Sequence, residues 1–108
     1  MQHWDLRSLS VAPHQPEVLQ SEGEGRSIVI QLPAGEALGE HQVHERAWLV
    51  VVDGDVELVQ DGGSEEAGPG TLAIYDPSER HEVRAKSDAR LLLLLAPWPG
   101  EGHPRQRD

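Results

Sequence analysis

The sequence contains no cysteine and no phenylalanine, and its 108 residues include one tyrosine and three tryptophans. The absence of cysteine excludes disulfide bonds and any chemistry that depends on a thiolate. Because aromatic residues are scarce, a core in this chain has to be built mainly from aliphatic side chains. A chain of this length fits one domain and buries about two-thirds of the surface that the unfolded chain exposes, which is enough for a core without covalent staples.

Basic residues and long apolar runs are also scarce. The 9 lysines and arginines are outnumbered by 19 aspartates and glutamates, which gives a formal net charge of −10. Such a surface repels phosphate backbones and anionic headgroups, so we expect no nucleic acid partner and no membrane partner. The longest apolar run, Leu91 to Pro97, is too short to cross a bilayer, and residues 1–10 lack a signal-peptide pattern. The sequence therefore predicts a soluble cytoplasmic protein.

Short apolar segments separated by turn signals predict an all-β fold. The 11 glycines and 8 prolines interrupt the chain too often for long helices. Asp53-Gly54 predicts a two-residue hairpin, because both turn positions favour positive φ, and residues 61–63, 68–70 and 76–78 predict further reversals. Strands recur about every ten residues, which is typical of a sandwich or barrel. They are predicted over residues 27–32, 40–43, 47–52, 55–60, 71–75, 81–85 and 90–96.

The strand pattern divides the chain into three segments. Residues 27–96 are predicted to form the barrel, and residues 1–26 a loop or short strand that precedes it. Residues 97–108 combine proline, glycine and mixed charge, which predicts a C-terminal tail.

Two predicted strands are apolar at both odd and even positions, namely AWLVVV at residues 47–52 and LLLLL at residues 91–95. Both faces of such strands are expected to be covered, whereas a lone barrel covers only the inner face. We therefore expect a homodimer, with Trp48 and Trp98 in the contact and Trp4 as well if the N-terminal segment crosses over. The alternative is that the N-terminal residues cover the outer face within one chain.

Glycines and histidines in two stretches of the chain follow a recognisable spacing. Gly35 is followed after five intervening residues by His41, and Gly54 lies at the next predicted turn. A second series begins at Gly70 and reaches His81. With these motifs the chain resembles the cupin superfamily, specifically its small single-domain members. The resemblance implies a cupin jelly-roll barrel of two antiparallel sheets.

The resemblance covers about residues 28–96 and departs from the family pattern at the metal ligands. In metal-binding cupins the two motifs supply three histidines and one glutamate to a single ion. The resemblance places His41 and His81 at the first and last of these positions. Val43 occupies the position of the second histidine, and Ala47 that of the glutamate.

Two neighbouring residues, His44 and Glu45, are candidates to replace the missing ligands. If the segment stays extended, His41, Val43 and Glu45 share one face and His44 points to the other. That arrangement favours Glu45 and gives two histidines and one carboxylate, a set suited to Fe(II) and similar ions. A bulge before the next strand would instead bring His44 inward. Both alternatives stay open, and the ion would be Fe, Mn, Ni or Zn.

Three functions are compatible with these motifs. The first is a small-molecule-binding protein whose cavity is anchored by two histidines. The second is a metal-dependent cupin enzyme of the oxygenase or isomerase type with a reduced ligand set, and the third is a structural or regulatory module whose barrel is filled by its own side chains. The missing ligands favour the first, and no catalytic residue is assigned. The predicted ligand-binding residues are His41, Val43, His44, Glu45, Ala47 and His81.

The charge distribution predicts that the chain has no measurable affinity for duplex DNA or anionic vesicles near physiological salt. Such binding requires basic side chains that neutralise phosphates, and the sequence has no basic cluster to supply them. The measurements are a gel shift and a vesicle sedimentation assay. A shifted band, or co-sedimentation at micromolar protein, would contradict the prediction.

Overall fold

The computed structural model describes residues 1–21, 23–41 and 44–99, except for the side chains of Glu40 and His41. Within these ranges the chain forms strands and no helix, which confirms the predicted all-β class. There is accordingly no helix in the described ranges that could span a membrane. The strands are β1 (Glu17–Gln20), β2 (Arg26–Leu32), β3 (Ala37–His41), β4 (Arg46–Asp53), β5 (Val56–Gln60), β6 (Gly63–Ala67), β7 (Leu72–Tyr75), β8 (His81–Ala85) and β9 (Ala89–Ala96).

The strands form two antiparallel sheets. The five-stranded sheet has the order β1-β2-β9-β4-β7, and the four-stranded sheet has the order β3-β8-β5-β6. Strands that follow one another along the chain therefore often lie in different sheets, as expected of a jelly roll. This architecture confirms the predicted barrel of two antiparallel sheets.

The core lies between the two sheets, and buried and less buried side chains alternate most regularly along β4 and β9. In β4, Ala47, Leu49 and Val51 are buried, whereas Trp48 and Val50 on the opposite face are only half-buried. Alternation is the direct result of the two-residue period of an extended chain. The buried apolar side chains that form the core cluster are Ile30, Leu32, Ala47, Leu49, Val51, Val56, Ala67, Tyr75, Val83, Ala85, Ala89, Leu91, Leu93 and Leu95.

Strand β6 is absent from the sequence prediction, and β1 lies in the segment that is predicted to be a loop or short strand. Strand β1 pairs with β2 as an edge strand of the five-stranded sheet. Strand β6 pairs with β5 across a two-residue turn at Asp61-Gly62, where both residues have positive φ. Its residues Ser64 to Glu66 are polar and exposed, so no apolar alternation marks them. The strand predicted at 40–43 begins earlier, since β3 starts at Ala37.

The hairpin predicted at Asp53-Gly54 is wrong, because β4 and β5 lie in different sheets and do not pair. The turn instead carries the chain from one sheet to the other. Gly54 has a φ of +82°, and a Cβ placed there would lie 2.1 Å from the carbonyl oxygen of Asp88 and 2.7 Å from the Cα of Ala89. Both the backbone conformation and this close approach require glycine.

The three tryptophans lie in different environments. Trp4 is 39% exposed, in the N-terminal segment. Trp98 packs against the core, and the guanidinium carbon of Arg26 lies 4.5 Å from the centroid of its ring system. Trp48 is half-buried on the outward side of β4. Of the three residues proposed for a dimer contact, Trp48 therefore lies on the open face of the five-stranded sheet.

Replacing Gly54 by alanine is expected to destabilise the fold more than the same change at Gly35. The φ angles of Gly54 and Gly35 are nearly equal, at +82° and +83°, but a Cβ placed at Gly35 meets nothing within 4 Å. The Gly35 variant should lose about 1 kcal/mol of unfolding free energy through backbone strain alone. The Gly54 variant should lose about 2 kcal/mol more, because the backbone at Asp88 and Ala89 has to move.

Urea denaturation of both variants measures this difference. Equal losses for the two variants would show that the contact of Gly54 with the backbone at Asp88 and Ala89 does not constrain the fold.

Candidate functional site

The two histidines of the motifs lie on neighbouring strands of the four-stranded sheet. Strands β3 and β8 are antiparallel partners, and the register pairs the Cα of His41 with the Cα of His81. The register shifts between Leu38 and His41, as in a β-bulge, so His41 pairs with His81 although Leu38 pairs with Val83. The prediction that the His41 side chain lines a cavity falls outside the described residues.

His81 is a buried polar residue on the inward face of β8. It is 4% exposed and lies on the same face of β8 as the buried residues Val83 and Ala85. Its side chain therefore points toward the space between the sheets. The imidazole stacks on the ring of Tyr75, with centroids 4.0 Å apart and planes inclined by 15°. Its Nδ1 lies 3.3 Å from the carbonyl oxygen of Glu79. Because Tyr75 and His81 belong to different sheets, this stacked pair joins the two sheets at one end of the barrel.

His44 and Glu45 differ in burial. Glu45 has no exposed surface, whereas His44 is exposed. Glu45 precedes Ala47 by two residues, and therefore continues the inward face of β4. Of the two candidate replacements, the carboxylate is the one that lies in the interior. Val43, the third neighbour in the predicted set, lies outside the described residues.

The position of Ala47 relates Glu45 to the stacked pair of Tyr75 and His81. It is fully buried, and the register of β4 with β7 places it opposite Tyr75. Since His81 stacks on Tyr75, the carboxylate, the small apolar side chain and the two rings lie at the same end of the barrel. This end therefore combines hydrogen-bonding groups with an apolar wall.

Two polar residues support this end of the barrel from outside. The side-chain amide of Gln60 donates to the carboxylate of Glu79 and to the carbonyl oxygen of Arg80. The same carboxylate accepts a hydrogen bond of 2.8 Å from the backbone N–H of Asp76. These bonds fix the turn between β7 and β8, and so fix the relative positions of Tyr75 and His81.

Burial and a nearby negative charge both act on Tyr75. Burial raises the pKa of its phenol above the usual value of 10.0, and the charge of Glu79 raises this pKa further. Neither Tyr75 nor Glu79 is among the predicted site residues. Tyr75 ends a strand six residues before His81, but residues 72–75 are apolar at every position, so the sequence does not show that Tyr75 faces inward.

Two clefts border this end of the barrel. One, of about 410 Å³, lies between the β5–β6 hairpin and β7, and Gln60, Ala73 and Tyr75 are in its wall. The other, of about 180 Å³, is lined by Gln60, Arg80 and His81. Gln60 lies between the two clefts, and the residues of the stacked pair, Tyr75 and His81, are only 6% and 4% exposed.

The described side chains do not by themselves form a metal centre. Among residues 1–21, 23–39 and 44–99, no three His, Cys, Asp or Glu side chains are grouped in a way that could hold a metal ion. The buried Glu45 and His81 are two donors of the types that bind transition metals, but two protein ligands are fewer than such sites use.

Comparison with known proteins agrees with the fold and the motif spacing. Residues 28–97 match the profile of the cupin domain family. The chain belongs to this family, as one of its small members.

Several individual proteins are similar to the chain. The L-ectoine synthase of Mycobacteroides abscessus is 30% identical over 83 residues, which are 74% of this chain and 64% of that enzyme. An RmlC-like cupin from Desulfovibrio desulfuricans has a TM-score of 0.78 at 24% identity and covers 90% of this chain and 96% of its own. A Klebsiella pneumoniae protein with a double-stranded β-helix domain has a TM-score of 0.79 at 17% identity, with 93% of each chain covered. The two solved structures support the fold alone.

The environment of Tyr75 predicts an alkaline titration that one substitution alters. Tyr75 is the only tyrosine, so tyrosinate absorbance reports on this residue alone. In the folded protein the pKa should lie above 10.0, and Glu79→Gln should lower it, though not to 10.0, because burial is the larger cause. Glu17→Gln on the distant strand β1 is the control and should leave the titration unchanged. An unchanged titration in Glu79→Gln would show that the two side chains do not interact.

Proposed function

We propose that this protein binds a small polar molecule at the end of the barrel that holds Glu45, Tyr75 and His81. The observation that carries the proposal is the burial of a carboxylate and an imidazole on inward faces of the two sheets, at 0% and 4% exposure. Burying such groups costs free energy that an apolar core would avoid. Buried polar groups are kept where they are hydrogen-bonded or paired, and they also occur where a site binds or reacts with a ligand.

The side chains at this end favour a ligand of mixed character. An ionised Glu45 accepts hydrogen bonds only, whereas the imidazole of His81 both donates and accepts in its neutral form. A ligand that carries N–H or O–H donors complements the carboxylate. Ala47 and the face of Tyr75 suit an apolar part of the same molecule.

A second candidate function is a synthase of the ectoine type. The similarity to L-ectoine synthase, at 30% identity over 83 residues, supports it. The chain spans 64% of the length of that enzyme, so the activity of the whole enzyme is carried over here only as a hypothesis. In this case the same residues would orient a substrate, with His81 as the group that holds or moves a proton near neutral pH.

Saturation-transfer NMR tests the binding proposal on the full chain, with a panel of small polar metabolites that includes L-ectoine. At least one compound is expected to bind. His81→Ala should abolish the signal, and Glu45→Gln should weaken binding about tenfold, which corresponds to about 1.4 kcal/mol for one lost hydrogen bond to a charged group. Circular dichroism checks that both variants remain folded.

The matched control is His14→Ala, because His14 is exposed and lies in the N-terminal segment. This variant should bind like the unaltered protein. Binding that persists in both His81→Ala and Glu45→Gln would place the ligand elsewhere and contradict the proposal.

Metal content per chain, measured on untagged protein, tests the metal-dependent enzyme that the sequence motifs leave as an alternative. A content near zero supports binding without a metal. A content near one that falls in His81→Ala supports the metal-dependent enzyme.

A further inference from the structure

The hydrogen bond of His81 assigns a role to each nitrogen of its ring. Nδ1 lies 3.3 Å from the carbonyl oxygen of Glu79, and a carbonyl oxygen can only accept a hydrogen bond. The proton of the neutral ring is therefore on Nδ1, and Nε2 is the acceptor. An ionised Glu45 also accepts hydrogen bonds and donates none. Both buried groups of the proposed site therefore favour a ligand that donates.

The side-chain amide of Gln60, which borders the same end of the barrel, has both of its donors engaged. It donates to the carboxylate of Glu79 and to the carbonyl oxygen of Arg80. An amide group has two N–H donors, so these bonds use both. Gln60 therefore presents its oxygen, a third acceptor, to a ligand in the adjoining clefts.

Glu65 adds a negative charge to the larger cleft, the one of about 410 Å³ between the β5–β6 hairpin and β7. It lies opposite Leu58 in the hairpin, and residues directly opposite in an antiparallel pair share one face of the sheet. Since Leu58 packs against the core, Glu65 lies on the inner face of β6. Among the described residues of the cleft wall, Glu65 is the only one with a charge. Tyr75 lies in this wall and stacks on His81, so the cleft borders the proposed site.

The neighbouring Glu66 shows the contrast. It lies opposite Glu57 on the outer face of the same hairpin, and its carboxylate pairs with Lys86. Within the described ranges, no lysine, arginine or histidine side chain forms an ion pair with Glu65. A carboxylate in a cleft without a basic side chain attracts a cation, and the net charge of −10 acts in the same direction.

We propose that the ligand is an organic cation with N–H donors, such as a primary ammonium group on a short apolar chain. This proposal rests on the proposed function and names the class of ligand for that site. The cationic group donates to Glu45 and to Nε2 of His81. Glu65 raises the affinity for positive charge from the bordering cleft, and is the specificity-determining residue there.

Saturation-transfer NMR on the full chain tests the class of ligand with three probes of equal chain length: n-butylammonium, butyramide and butyrate. The titrations are run at about pH 8, above the usual imidazole pKa of about 6.5. The dissociation constant of n-butylammonium should be about tenfold or more below that of butyramide, and butyrate should bind most weakly. His81→Ala should abolish the transfer to n-butylammonium, because this variant removes an acceptor that the cation uses.

Glu65→Gln and Glu66→Gln form a matched pair, because they remove the same charge from adjacent residues on opposite faces of β6. Glu65→Gln should weaken n-butylammonium about threefold, as expected for an exposed charge pair, and leave butyramide unchanged. Glu66→Gln should leave both unchanged. A charge on an edge strand can also serve to hinder pairing with another chain. If Glu65 had that role alone, Glu65→Gln would bind like the unaltered protein, which would overturn its assignment.

A long-range proton–nitrogen correlation spectrum at the same pH tests the role of His81 without any ligand. It should show the Nδ1–H tautomer, and the Nε2–H tautomer would overturn the proposal. Arg80 in the wall of the smaller cleft favours an anion. Butyrate or butyramide that binds as tightly as n-butylammonium, with binding lost in His81→Ala, would overturn the cation and leave the proposed binding site in place. No binding of n-butylammonium would also overturn the cation, whereas only failure of the metabolite panel would overturn the proposed function.

Discussion

The fold depends on the point where two connections between the sheets touch. The turn at Gly54 carries the chain from β4 to β5, and the turn before Ala89 carries it back from β8 to β9. The two turns are joined by hydrogen bonds from the backbone N–H groups of Lys86 and Ser87 to the carbonyl oxygen of Asp55. Because Gly54 has no Cβ, the turns approach closely enough to form these bonds, and the sheets are held face to face.

Some parts of the fold could be predicted from the sequence and others could not. The apolar run at residues 47–52 predicts a strand, but because both parities are apolar it does not indicate which face of β4 is inward. The dipeptide Asp53-Gly54 indicates a turn with positive φ, but a hairpin and a crossing between sheets require the same backbone conformation. Strand β6 has no apolar pattern, since its exposed side chains at residues 63–66 do not contact the core. The topology depends on which strands pair, and the strands that pair are often far apart in the sequence.

The candidate site, like the fold, could be predicted only in part from the sequence. The motif spacing predicts His81 as a site residue, whereas the sequence leaves Glu45 and His44 as alternatives. In the structure Glu45 is buried and His44 is exposed. Tyr75 and Glu79 could not be assigned, because their proximity to His81 depends on how the two sheets pack. The same packing places the inner face of the five-stranded sheet against the core, whereas Leu72, Ile74 and Leu94 on the outer face are exposed.

The central claim is that the polar end of the barrel is a binding site, and a crystal structure of untagged protein tests it most directly. The account predicts that the His41 ring lies on the same face of the β3–β8 pair as the His81 ring. It also predicts a cavity between them that Glu45 borders, with density for a small molecule. Rings on opposite faces of the sheet, or a barrel end filled by the protein's own side chains, would contradict it.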